Sequence, residues 1–172
     1  MTIRAREVLA DCEQLLEAIT TDMSASLWRP RWAGLISLLR AVGHVLDKVD
    51  GKNSPTTRSV VDLEWQRLND SKPDPAIFWR FIDDERNNVL KLYEIGSAVN
   101  ITVRPGAANL CLSTKETHSS MSGSTMVEPF MRSESFKGQD PLKLCREALQ
   151  FWKIYLDRID RQVLEAQTSS GV

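Results

Sequence analysis

Two stretches of this chain repeat apolar residues at alternating spacings of four and three, and that pattern constrains the fold more than any other feature. The first is Trp28, Trp32, Leu35, Leu39, Val42, Leu46 and Val49. The second is Leu142, Cys145, Leu149, Trp152, Leu156, Ile159 and Val163. A half-buried strand alternates every second residue, whereas this spacing lays a stripe along one side of an α-helix. Stripes of this kind are buried when helices pack at a shallow angle. The expected fold is all-α, an antiparallel up-and-down bundle of four to five helices.

Punctuation between the stripes places the other elements. Val8, Cys12, Leu15, Leu16, Ile19 and Met23 predict a first helix over residues 4–23, broken at Ser24-Ala25-Ser26. Pro30 suits the opening turn of the second helix, where an amide has no intrahelical acceptor to lose. Asp50-Gly51-Lys52-Asn53 ends that helix, with Gly51 fitted to a left-handed C-terminal cap. Ser54-Pro55 opens a third helix over residues 55–69, with Val61, Trp65 and Leu68 on its buried face. Asp74-Pro75 and Asp140-Pro141 each pair a capping carboxylate with a first-turn proline. They predict a fourth helix that runs to about residue 95 and stops at Gly96, and a final helix whose end, 166–172, frays. Between them the helical period disappears, so 97–139 is read as a polar insertion. Within it, 101–104 and 124–131 predict the two short strands of a hairpin, around a Ser/Thr-rich segment at 113–125. Residues 1–172 are expected to form a single domain, long enough to bury a core without disulfides.

Composition excludes several classes of function. The formal net charge is −1, which gives no global basic field to recruit nucleic acid or an anionic membrane and leaves only a local patch. Cys12, Cys111 and Cys145 are far apart and lack metal-ligand spacing, so Cys12 and Cys145 are read as buried thiols on apolar faces. No apolar run reaches the roughly 20 residues of a membrane span, and the amino terminus lacks the apolar core of a signal peptide. A cytoplasmic protein with no membrane contact is expected.

The fourth helix carries the one motif with chemical content. Its stripe Phe78, Ile82, Val89 and Leu92 is interrupted by Glu85, and an ionised carboxylate on a packing seam requires compensation. Arg40 or His44, one turn apart on the second helix, is the expected partner; a Glu85–Arg86 pair that merely fixes helix register is the structural alternative. Arg86-Asn87, followed by Lys91 and Tyr93, resembles the Arg-x4-His-x-Tyr signature of HEPN domains, the higher eukaryote and prokaryote nucleotide-binding domains. It is most similar to the version in the toxin of nucleotidyltransferase-paired toxin–antitoxin systems, and the polar residue after the arginine belongs to the pattern. The resemblance implies a helical bundle, often dimeric, and in many members a metal-independent ribonuclease. Lys91 stands where that family carries histidine, and lysine is a fixed cation where histidine exchanges protons near neutrality. The implied role is therefore a non-catalytic binding or regulatory module, a homodimer that contacts RNA, a nucleotide phosphate or a protein partner. In it Arg86, Asn87 and Lys91 contact the ligand, Glu85 orients Arg86, and Tyr93 supplies a hydroxyl. The alternatives are a ribonuclease toxin in which Lys91 or His44 replaces the missing base, and a structural helical bundle with no nucleic-acid role.

Other constellations carry less. His44 and Asp47 share a helix face, but no Glu-x-x-His repeat accompanies them, so neither metal nor cofactor is expected. His118, beside Ser119 and Ser120, reads as an exposed loop histidine, with no Gly-x-Ser-x-Gly context. Trp28-Arg29-Pro30-Arg31-Trp32 is expected to cap the bundle, and Asp83-Asp84 to form a solvated acidic face. Trp79, next to the seam residue Phe78, is the candidate for an exposed partner anchor.

Overall fold

In a computed structural model of the protein, residues 1–21, 24–104 and 124–169 are described. These residues are mainly helical, with one two-stranded antiparallel sheet. The helices are α1 (Ile3–Thr21), α2 (Ala25–Lys48), α3 (Pro55–Asp70), the short α4 (Asp84–Asn87) and α5 (Pro141–Ser169). Two wider π-helical segments, Ile77–Asp83 and Asn88–Leu92, flank α4 and make one fourth helical stretch with it. The sheet pairs β1 (Ser97–Arg104) with β2 (Ser124–Met131), Ser97 opposite Met131 and Arg104 opposite Ser124. The expected hairpin is therefore present, and its first strand starts four residues earlier than the sequence pattern implied. Met23, Cys111, His118 and most of the Ser/Thr-rich segment lie outside the described residues.

Both four-three stripes face the core. All seven α5 positions are buried, as are Trp28, Trp32, Leu35, Leu39, Val42 and Leu46 of α2. The last position of the α2 stripe, Val49, is 45% exposed, because the chain leaves α2 there for a 3-10 turn at Asp50–Lys52. Gly51 does not take the left-handed cap; its place is set by crowding, since a Cβ there would lie 2.8 Å from Arg58 Nη1. Pro30 lies inside α2 and not in its opening turn, because the helix begins at Ala25. The loss of one backbone bond there is offset by burial of Trp28 and Trp32, whose rings stack on each other at 5.8 Å.

Two of the proline-marked starts behave as the sequence implies. Ser54 Oγ accepts from the Thr57 amide at 3.1 Å, and Asp140 Oδ1 accepts from the Leu142 amide at 2.8 Å. The third does not: the helical stretch after Pro75 has no side-chain cap, and Asp74 is not its capping carboxylate. That stretch also ends early, at Leu92, where Tyr93 takes the left-handed conformation (φ 54°), three residues before the expected stop at Gly96. Its π segments defeat the 3.6-residue period, so Leu92 is 62% exposed although it continues the Phe78-Ile82-Val89 stripe.

Two aromatic positions exchange roles. Trp79, expected outside, is buried with Lys72 Nζ 4.3 Å above its ring, while Trp65, expected inside, is 42% exposed. Aspartates tie the amino end of α1 to the rest. Asp50 is fully buried and accepts from the Arg4 and Ala5 amides at 3.1 and 2.8 Å, capping α1 from a distant turn. Asp160 of α5 accepts from the Thr2 amide and hydroxyl, both at 2.8 Å. No helix among the described residues is long and apolar enough to cross a membrane.

Candidate functional site

A polar cluster forms where α2 meets the fourth helical stretch. Arg40 and His44 project from successive turns of α2, and Asp83, Arg86 and Asn87 come from the end of the first π segment and from α4. Arg40 Nε donates to Asp83 Oδ1 at 2.9 Å, and Asn87 Nδ2 donates to Asp83 Oδ2 at 3.4 Å. Asn87 Oδ1 in turn accepts from Arg86 Nη1 at 3.0 Å. Asp83 thus anchors one cation and one amide, and the amide orients the second cation. It is not the freely solvated acid expected from the sequence; a carboxylate three residues before Arg86 and four before Asn87 was the available signal for this role.

His44 is exposed and titrates below its ordinary range. Partial burial is the largest cause, followed by the Arg40 and Arg86 charges, which together outweigh Asp47 and Asp83. A neutral imidazole at neutral pH offers one donor and one acceptor nitrogen. Arg86 is half-buried and, among the described residues, bonds Asn87 alone.

The other sequence candidates lie elsewhere. Lys91 is exposed and bonds no described residue. The Tyr93 ring lies under the Arg29 guanidinium at 5.2 Å, in a groove of about 810 Å³ that Arg132 also lines. Among the described residues no hydrogen bond joins the Arg86, Lys91 and Tyr93 side chains, and a π segment and a left-handed residue lie between the first and the last.

Glu85 has partners other than those expected. It is buried, and neither Arg40, His44 nor Arg86 bonds it. Its Oε1 accepts from Trp32 Nε1 at 3.1 Å and from the Gly96 amide at 2.7 Å. Burial is the main influence and raises its pKa, opposed by the Trp32 and Gly96 bonds and by Arg132. Glu85 is a joint between α2, the fourth helical stretch and the start of β1. It does not orient Arg86; Asn87 does.

A second buried glutamate escaped sequence reasoning. Glu64 of α3 bonds Gln162 Nε2 at 2.8 Å and Arg67 Nη1 at 2.5 Å, with Arg158 Nη1 at 3.4 Å. Burial pushes its pKa up, but these partners prevail and the net shift is downward. No group of three His, Cys, Asp or Glu side chains among the described residues is arranged to hold a metal ion. No family model matches this chain, and neither a curated protein nor a solved structure does.

Proposed function

We propose that this protein is a non-catalytic, HEPN-like binding module that holds a phosphate of single-stranded RNA at the Arg86–Asn87 cluster. The observation that carries the reading is the state of Arg86. Arg40 is matched to Asp83, and Arg58 to Asp47 and Asp62, whereas among the described residues the Arg86 guanidinium is held only by a neutral amide. It is an oriented cation with donors to spare, the arrangement that favours bidentate contact with a phosphate. Arg40 adds positive potential, and His44 adds a neutral donor. The same reading takes the helices as an antiparallel up-and-down bundle that pairs with a second copy, and leaves Lys91 as a peripheral cation.

The test is fluorescence anisotropy of a labelled single-stranded RNA against a salt series, with wild type and Arg86→Ala. Wild type is expected to bind with a salt dependence, and the variant to lose about 0.7 from the log–log slope for each phosphate contact removed. Absence of binding, or binding that Arg86→Ala leaves intact, would replace RNA with a protein partner.

One observation favours a second reading, RNA cleavage. His44 lies within electrostatic reach of Arg86 and is held neutral, the state a general base requires. Growth arrest on overexpression that disappears in both His44→Ala and Arg86→Ala would support it, and unaffected growth with the wild-type protein would count against it.

A further inference from the structure

The arginines of this chain divide by partner. Arg4, Arg6, Arg40, Arg58, Arg67 and Arg158 each pair with a carboxylate. Three others are oriented by neutral groups, and those groups all belong to the short segment 87–95. Asn87 Oδ1 accepts from Arg86 Nη1, the Ile95 carbonyl accepts from Arg132 Nη2 at 2.5 Å, and the Arg29 guanidinium lies 5.2 Å from the centre of the Tyr93 ring. Among the described residues no carboxylate pairs with Arg29, Arg86 or Arg132. Arg29 and Arg132 both line the groove of about 810 Å³, and Asn88 of the same lining directly follows Asn87 of the Arg86 cluster. Glu94 is the single acid in that lining, set against the two arginines. Buried Glu85 acts on Arg132 electrostatically, but its bonds go to Trp32 and Gly96. Tyr93 stands among these cations 71% exposed. A guanidinium on a neutral partner keeps its charge unmatched, and three of them about one segment favour a polyanion over a small single anion. The exposed ring selects among polyanions, because nucleic-acid bases stack on aromatic faces and a polyphosphate has nothing to stack.

We infer that this groove continues the RNA site. A nucleotide next to the phosphate at Arg86–Asn87 stacks its base on Tyr93, and its neighbouring phosphates lie against Arg29 and Arg132. The inference rests on the phosphate reading above and adds a second, separate set of contacts to it. It also gives Tyr93 a contact through its ring, where the motif resemblance implies one through its hydroxyl. Stacking needs no hydroxyl, so the two roles respond differently to Tyr93→Phe.

The experiment is fluorescence anisotropy of the full chain, across a salt series, with a labelled oligouridylate and with a labelled abasic ribose-phosphate oligomer of equal length. Wild type is expected to bind the oligouridylate at least about fivefold more tightly than the abasic oligomer, the lower end of what one stacked base contributes. Tyr93→Phe is expected to keep that ratio, and Tyr93→Ala to bring it close to one. Arg29→Ala and Arg132→Ala are each expected to lose about 0.7 from the log–log salt slope for each phosphate contact removed. Arg29 and Tyr93 are exposed, and circular dichroism verifies that their variants fold. A slope lowered by Arg86→Ala, together with equal wild-type affinity for the two oligomers, would overturn the groove and leave the phosphate reading standing. So would a base preference that survives Tyr93→Ala, or a slope that Arg29→Ala leaves unchanged. Failure of folded wild type to bind either oligomer would remove both.

Discussion

Gly96→Ala probes the joint that fixes β1 against the helices. Glu85 Oε1 accepts from the Gly96 amide at 2.7 Å and from Trp32 Nε1 at 3.1 Å. A methyl group at position 96 would lie 2.2 Å from Glu85 Oε2 and 2.5 Å from Oε1, well inside contact distance. Glu85 is 2% exposed, and both of its hydrogen bonds among the described residues run through Oε1. Either the carboxyl group or the strand must move, and both movements break the two bonds. Each bond to a charged acceptor is worth about 1.5–3 kcal/mol, and a stranded buried donor such as Trp32 Nε1 costs about 1–3 kcal/mol. The expected loss is therefore about 3–5 kcal/mol, a fall in Tm of about 6–20 °C for a domain of this size. Glu85→Ala removes the obstacle, so adding Gly96→Ala to it is expected to cost less than about 1 kcal/mol, a coupling of about 2 kcal/mol or more. Urea unfolding of wild type, the two single variants and the double variant measures this cycle. A single-variant cost below about 0.5 kcal/mol, or costs that simply add, would refute the steric argument.

Three further predictions rest on individual buried groups. The folded-state pKa of Glu85 is raised above its ordinary 4.5, so its contribution to stability falls as pH rises through the window above that value. Glu64 is lowered, so its contribution is complete above 4.5 and is lost as pH falls through the folded pKa. Urea midpoints from about pH 4 to pH 7 are expected to show Glu85→Gln gaining on wild type as pH rises and Glu64→Gln losing; the same slope for both would contradict the assignment. Asp50→Ala strands two amides of α1 and is expected to cost about 2 kcal/mol, measured by thermal and urea unfolding, with Asp50→Asn restoring part of the loss. Burial pushes the Cys12 thiol up to about 12 and also raises Cys145, so peptide mass spectrometry after iodoacetamide treatment should find both unmodified in the native protein and alkylated in urea.

The legible part of the candidate site was its local part. Arg86 and Asn87 are adjacent, and Arg40 and His44 are one helical turn apart, so each pair was visible in the sequence. What joined the pairs was Asp83, which composition alone reads as one more surface acid. Lys91 and Tyr93 were grouped with Arg86 by resemblance to the Arg-x4-His-x-Tyr pattern, and a short motif carries no information about the π segment and the left-handed Tyr93 within it. Glu85 was correctly marked as a carboxylate in need of partners, but an indole and a glycine amide supplied them in place of a cation.

Alternating apolar spacing, capping residues and proline by themselves determined where α1, α2, α3 and α5 lie, and that a hairpin follows the fourth helical stretch, because these signals act between residues within about a turn of each other. They also determined the inward faces of α2 and α5, since one stripe on a helix has only one way to escape water. Which side chains meet across the elements was decided only by the packed chain. The Trp32–Glu85–Gly96 joint, the Asp50 cap on α1 and the groove at Tyr93 each unite groups far apart in sequence. Their energies depend on desolvation and on distances of a few tenths of an ångström, and neither quantity exists until the helices have docked.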